Sequence, residues 1–150
     1  MALHPEDCLE GFKQAGAQKI VFHYEATPAP EKITRSIKKL GMQAGLAVNP
    51  ETPIIDIRPL VKQVDSVLFL SVNPGFYGAK FIPEVLDKII EFRKVYPKME
   101  TGIDGGIKES NIAQIARSGV DVICVGSAIF MQPDPSASYN RLKALAAHAA

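Results

Sequence analysis

Apolar positions in this chain alternate between short continuous runs and helical stripes. Residues 5–16 hold Leu9 and Phe12 at helical spacing, with Pro5 near the start and Gly16 past the end, and predict a helix. A compact run at 19–23, KIVFH, predicts a strand. Pro28 and Pro30 then open a second helix whose face carries Ile33, Ile37 and Leu40, and Gly41 ends it. Residues 43–48 form a small-residue strand. Thr52 and Pro53 read as an N-cap and an N1 proline, opening a helix shortened or kinked by Pro59. Residues 66–72, SVLFLSV, read as an apolar strand, and 82–96 as a long amphipathic helix through Val85, Leu86, Ile89 and Phe92. A strand at 99–103, a helix with Ile112 and Ile115 ending at Gly119, a strand at 121–125 and an alanine-rich helix from about Ser136 complete the chain. The order is one helix followed by five βα units.

The strands are apolar throughout rather than alternating. That indicates burial on both faces and parallel pairing, hence an α/β fold. With 150 residues and no linker or low-complexity stretch, the chain reads as a single domain over 1–150. A net charge of +1 gives no footprint for nucleic acid or a membrane surface. No apolar run reaches the roughly 18 residues of a membrane span, and no basic-then-apolar leader precedes the first helix. We therefore expect a cytoplasmic protein. The two cysteines, Cys8 and Cys124, lack metal-type spacing, and Cys124 reads as a reduced core residue.

Chemistry concentrates after the strands. TGIDGGI (101–107) ends an apolar flank in a carboxylate, Asp104, followed by Gly105 and Gly106. An Asp-Gly turn on the surface would look similar. Two further glycine-rich loops follow strands, NPGFYG (73–78) and GSAIF (126–130). Three such loops at the C-terminal ends of consecutive parallel strands would ring one phosphate, with backbone N–H groups around Gly105, Gly106, Gly126 and Ser127 as donors. Ser127 also reads as a helix N-cap.

The stretches FHYEA (22–26), GLAVNPETP (45–53), SVNPGFYGAKF (71–81), IDGGI (103–107) and VGSAIF (125–130) together resemble the ribulose-phosphate 3-epimerase family. The resemblance implies a TIM (β/α)8 barrel, of which this chain would be a partial barrel of about five parallel βα units preceded by a helix. It implies an isomerase of the pentose phosphate pathway that exchanges ribulose 5-phosphate and xylulose 5-phosphate. The chemistry is two-base proton transfer at C3 through an enediolate, assisted by a divalent metal (zinc, iron, manganese or cobalt). Asp104 would be catalytic and also a metal ligand. Gly75, Phe76, Gly78, Gly105, Gly106, Gly126 and Ser127 would hold the substrate and its phosphate. Leu70 stands where the family often has a methionine over the sugar. His23 and Glu25 are further candidates: His23 reads as a hydrogen-bonded wall residue or a metal ligand, with Glu25 as its partner.

Besides Leu70, three positions depart from the family pattern and bear on substrate fit. Tyr77 replaces a glycine, Ala79 a polar residue, and Gly102 a larger or acidic one. The family's first three strands, with the second catalytic aspartate and most metal ligands, have no counterpart here. We therefore expect an incomplete ligand set and a chain that begins at an internal methionine of a longer ancestor. An allulose-phosphate epimerase, a hexulose-phosphate synthase and a non-catalytic sugar-phosphate-binding fragment remain alternatives. Open sheet edges lead us to expect a homo-oligomer.

Overall fold

The computed structural model describes residues 2–75 and 79–149. It contains one five-stranded parallel sheet, β1 (Lys19–His23), β2 (Gln43–Val48), β3 (Ser66–Leu70), β4 (Glu100–Asp104) and β5 (Val122–Cys124), with the strands side by side in chain order. Helices α1 (Leu9–Gln14), α2 (Pro30–Lys39), α3 (Ile54–Val61), α4 (Glu84–Val95), α5 (Ile112–Arg117), α6 (Ser127–Phe130) and α7 (Pro135–Ala147) precede, connect and follow them. The expected order, one helix and then five βα units, is what forms. Among the described residues no helix is long and apolar enough to cross a membrane.

The core lies between the sheet and the connecting helices. Ile37 of α2, Ile57 of α3, Ile89 and Phe92 of α4 and Ile115 of α5 meet Leu46, Phe69 and Ile103 of the central strands, all fully buried. Phe69 and Phe92 pack edge to face at 5.3 Å between ring centres. At the N-terminal ends of the strands, Asp121 accepts from Arg93 Nη1 at 2.7 Å and from the Thr101 N–H at 2.8 Å, tying α4, β4 and β5 into one frame. That frame fixes where β4 ends, and with it Asp104.

Several expectations need correction. Residues 5–16 begin as a 3-10 turn, Pro5–Cys8, and only then become α1. Leu9 is buried, but Phe12 is 54% exposed, so the two do not share a buried face. The second helix starts at Pro30, and Pro28 lies outside it. Thr52 does not cap α3, whose N-cap is Pro53; its hydroxyl donates instead to Glu25. Pro59 does lie inside α3, which is eight residues long. Strands β3 and β5 are shorter than 66–72 and 121–125, while β4 reaches one residue further, to Asp104.

Burial on both faces holds for β2 and largely for β3, but not at the sheet edges. Val21 of β1 and Val122 of β5 are 43% and 41% exposed. Each edge strand has one neighbour, and among the described residues nothing opposes its outer side. An apolar run therefore indicated a strand correctly but not how much of it would be covered.

Candidate functional site

The parallel register sets the site. His23, Ala47, Leu68, Gly102 and Val122 stand abreast across the five strands. Leu70, Asp104 and Cys124 stand abreast two residues further towards the strand ends, on the same side of the sheet. His23 and Asp104 belong to strands separated by two others, yet both line one cleft of about 430 Å3, so the sheet curls around it. At Gly102 a Cβ would stand 2.8 Å from Leu68 Cδ1, so Leu68 fills the space that a larger residue would take.

Asp104 lines the cleft and stays open to solvent on one side. Burial pushes its carboxyl above the usual value of 3.8, and the Gly105 N–H and the nearby His23 offset this only in part. Cys124, its register partner, is not a core residue: it is a free, half-buried thiol on the cleft wall. Burial first, and the Asp104 charge second, push that thiol up.

The turn after Asp104 is held from β3. Ser71 donates its hydroxyl to the carbonyls of Asp104 and Gly105, at 3.0 and 2.7 Å. Gly105 has φ +115°, and a Cβ on it would lie 2.6 Å from Val72 Cγ2. This glycine is therefore required by the close approach of the chain leaving β3, besides any ligand. Beyond it, Gly106, Gly126, Ser127 and Lys108 line the same rim, with Gly75 and Leu70 nearby. Ser127 is the first residue of α6 rather than its cap, which is Gly126. Phe76 and Gly78 lie outside the described residues.

On the opposite wall, His23 Nδ1 lies 3.5 Å from Glu25 Oε2, the partnership expected from their spacing. Glu25 itself stands behind the wall. It accepts from the Asn49 N–H at 2.9 Å and from the Thr52 hydroxyl. Burial pushes Glu25 up, yet the hydrogen bonds from His23, Asn49 and Thr52 outweigh it and hold the carboxyl at about 2. Lys88 of α4 closes this corner, donating to the carbonyls of Asn49 and Pro50 at 3.1 and 3.0 Å.

Sequence reasoning missed Ser71, Lys88, Lys108 and the cleft position of Cys124. Lys108 had a signal, a cation two residues after the glycine pair. Cys124 had none, because its neighbour Asp104 is set by register alone. Among the described residues no group of three or more His, Cys, Asp or Glu could hold a metal ion. Asp104 offers one anionic donor, and Nδ1 of His23 faces Glu25, so the donors of this chain do not by themselves fit a divalent metal.

The model of the ribulose-phosphate 3 epimerase family matches residues 1–130. The ribulose-phosphate 3-epimerase of Escherichia coli strain K12 is 42% identical over 127 residues, which cover 82% of this chain and 56% of that protein. The enzyme of the same name from Mycobacterium tuberculosis strain H37Rv is 38% identical over 144 residues, 93% of this chain and 63% of that protein. The chain thus spans only somewhat over half the length of these relatives. Among solved structures, 3-hexulose-6-phosphate synthase from Salmonella typhimurium matches all of the chain and 70% of its own with a TM-score of 0.75 at 21% identity. KGPDC from Streptococcus mutans in complex with D-R5P matches 95% of the chain and 67% of its own, also with a TM-score of 0.75, at 10% identity. At such low identity these two establish fold alone, that of TIM-barrel enzymes.

Proposed function

We propose, since the chain belongs to the ribulose-phosphate 3-epimerase family, that it supplies one half of a site that inverts C3 of a phosphorylated pentulose. The substrate pair is ribulose 5-phosphate and xylulose 5-phosphate, in the cytoplasmic pentose phosphate pathway. Asp104 is the acid/base on one face. It takes the C3 proton, the electron pair of the C–H bond moves into the bond to C2, and the C2 ketone oxygen becomes an enediolate oxygen. A second acid returns a proton to C3 from the opposite face. The observation that carries this reading is Asp104 itself: a carboxylate at the C-terminal end of β4, made more basic by burial, opening on the cleft that the glycine rim also lines.

The phosphate is assigned to that rim, where Gly106, Gly126 and Ser127 bring backbone groups close and Lys108 adds a cation. Gly105 belongs to the same rim, and its N–H also favours the ionised form of the Asp104 carboxyl. Among the described residues lining the cleft Asp104 is the one carboxylate. The second acid, and the remaining donors to any metal, are therefore assigned to groups other than the described residues of this cleft.

The test is conversion of ribulose 5-phosphate by the 150-residue chain, by the chain completed with the N-terminal strands of a relative, and by the completed Asp104→Asn barrel. The expected result is little or no turnover, restored turnover, and a loss of about 10²–10⁴-fold, respectively. Undiminished turnover by the Asp104→Asn barrel overturns the assignment, and full turnover by the chain alone misplaces the second acid. The exposed edges at Val21 and Val122 further lead us to expect self-association of the isolated chain. Sedimentation as a monomer with sharp thermal unfolding would contradict that.

A further inference from the structure

We propose that Glu25 is a positioning residue. It locks His23 in the tautomer that carries its proton on Nδ1, which leaves Nε2 as a hydrogen-bond acceptor for a sugar hydroxyl on the cleft wall across from the phosphate rim. The inference deepens the function proposed above and takes its ligand from it.

Glu25 is unusually well fixed for a residue just past a strand end. One oxygen, Oε1, accepts from both the Asn49 N–H and the Thr52 hydroxyl, groups of the turn that follows β2. The other, Oε2, is left to face His23 Nδ1 at 3.5 Å. The short 3-10 turn Tyr24–Ala26 brings Glu25 back under the imidazole, and the Tyr24 hydroxyl donates to the Asp56 carbonyl at 3.3 Å. Two consecutive βα units thus set the orientation of one ring. A carboxylate that already satisfies two donors stays ionised, and an ionised carboxylate only accepts. Nδ1, which faces this carboxylate at 3.5 Å, is therefore assigned the proton. In the neutral form of the ring that is the one N–H, and Nε2 is left as an acceptor. His23 lines the same cleft as Asp104, Gly106 and Gly126, and a hydroxyl is a donor that Nε2 can receive. A purely structural Glu25, stapling β1 to the turn after β2, would impose no tautomer. That difference makes the two roles separable.

The experiment is ring nitrogen spectroscopy on the ¹⁵N-labelled chain, with the His23 signals assigned by their loss in His23→Gln. The expected result is His23 as the Nδ1–H tautomer, moving towards a mixture in Glu25→Gln. Adding ribulose 5-phosphate shifts the Nε2 signal and inorganic phosphate does not. Glu25→Gln weakens ribulose 5-phosphate about fivefold, the scale of one neutral hydrogen bond, and leaves inorganic phosphate binding unchanged. A wild-type His23 protonated on Nε2 overturns the positioning role. Ribulose 5-phosphate that shifts the Gly106 and Gly126 amides without moving Nε2 overturns the hydroxyl contact. If neither probe shifts any signal, the proposed function falls and the hydroxyl contact with it, while the tautomer is still decided by the ligand-free spectrum. The wild-type spectrum also decides it should Glu25→Gln fail to fold.

Discussion

On the β1 wall of the cleft, Glu25 gathers donors from Asn49, Thr52 and His23 and sits at about 2. On the β4 wall, Asp104 has the Gly105 N–H and a more distant His23, and burial leaves it raised. Burial is the largest influence on both carboxyls and pushes both the same way. The number of hydrogen bonds to the ionised form decides the outcome. The closed wall spends its acid on holding structure. The open wall leaves its acid and its backbone groups available, which suits a base and a ligand rim. Lys88 and Thr52 belong to the first plan, Gly106, Gly126 and Ser127 to the second.

The strongest way to break this contrast is to put a charge on the open rim. Ser127→Asp sets a carboxylate against the phosphate, and like charges so placed cost several kcal/mol. Binding of ribulose 5-phosphate, followed by titration calorimetry, is expected to weaken by about a hundredfold or more. Unchanged affinity would remove the phosphate from this rim.

A smaller effect separates structural from ligand-facing glycines on the same wall. Gly105→Ala must accept φ +115° and a methyl 2.6 Å from Val72, whereas a Cβ on Gly126 meets nothing within 4 Å. Urea unfolding is expected to show a loss of about 1–3 kcal/mol for Gly105→Ala and markedly less for Gly126→Ala. Equal losses would mean that Gly105 is not held by the close approach of Val72.

The mildest test reads the two acids through pH. Glu25 is lowered from 4.5 to about 2 on folding, so its stabilisation is complete above pH 4.5 and is lost as pH falls from 4.5 towards 2. Asp104 is raised above 3.8, so its burial costs stability at neutral pH, and that cost is relieved as pH falls through its folded value towards 3.8. Thermal midpoints are expected to be lower for Glu25→Gln and higher for Asp104→Asn at pH 7. The Glu25→Gln profile should also be flatter between pH 4.5 and 2. Wild-type behaviour of Glu25→Gln across that window would show that Glu25 is not held as described.

Much of this site could be read along the chain because its signals are local. A carboxylate before two glycines marks a strand end and a tight turn whatever surrounds it, and Asp104 is where that motif implies. The Glu25–His23 pair, two residues apart, is equally local. Thr52 misled for the same reason: a hydroxyl before a proline looks like a cap, but a carboxylate 27 residues away competes for it and wins. Cys124 misled because apolar neighbours in sequence say nothing about which row of the sheet a thiol joins.

By itself, then, the amino-acid order determined five strand runs, the helices between them, their parallel sense and the acid and glycines at the strand ends, since each depends on spacing within one segment. Only the tertiary structure decided the rest. Register placed Cys124 beside Asp104 and Leu68 over Gly102. The curl of the sheet brought His23 into the cleft that Asp104 lines. Competing hydrogen bonds, which no single segment contains, held Glu25 down while burial left Asp104 raised.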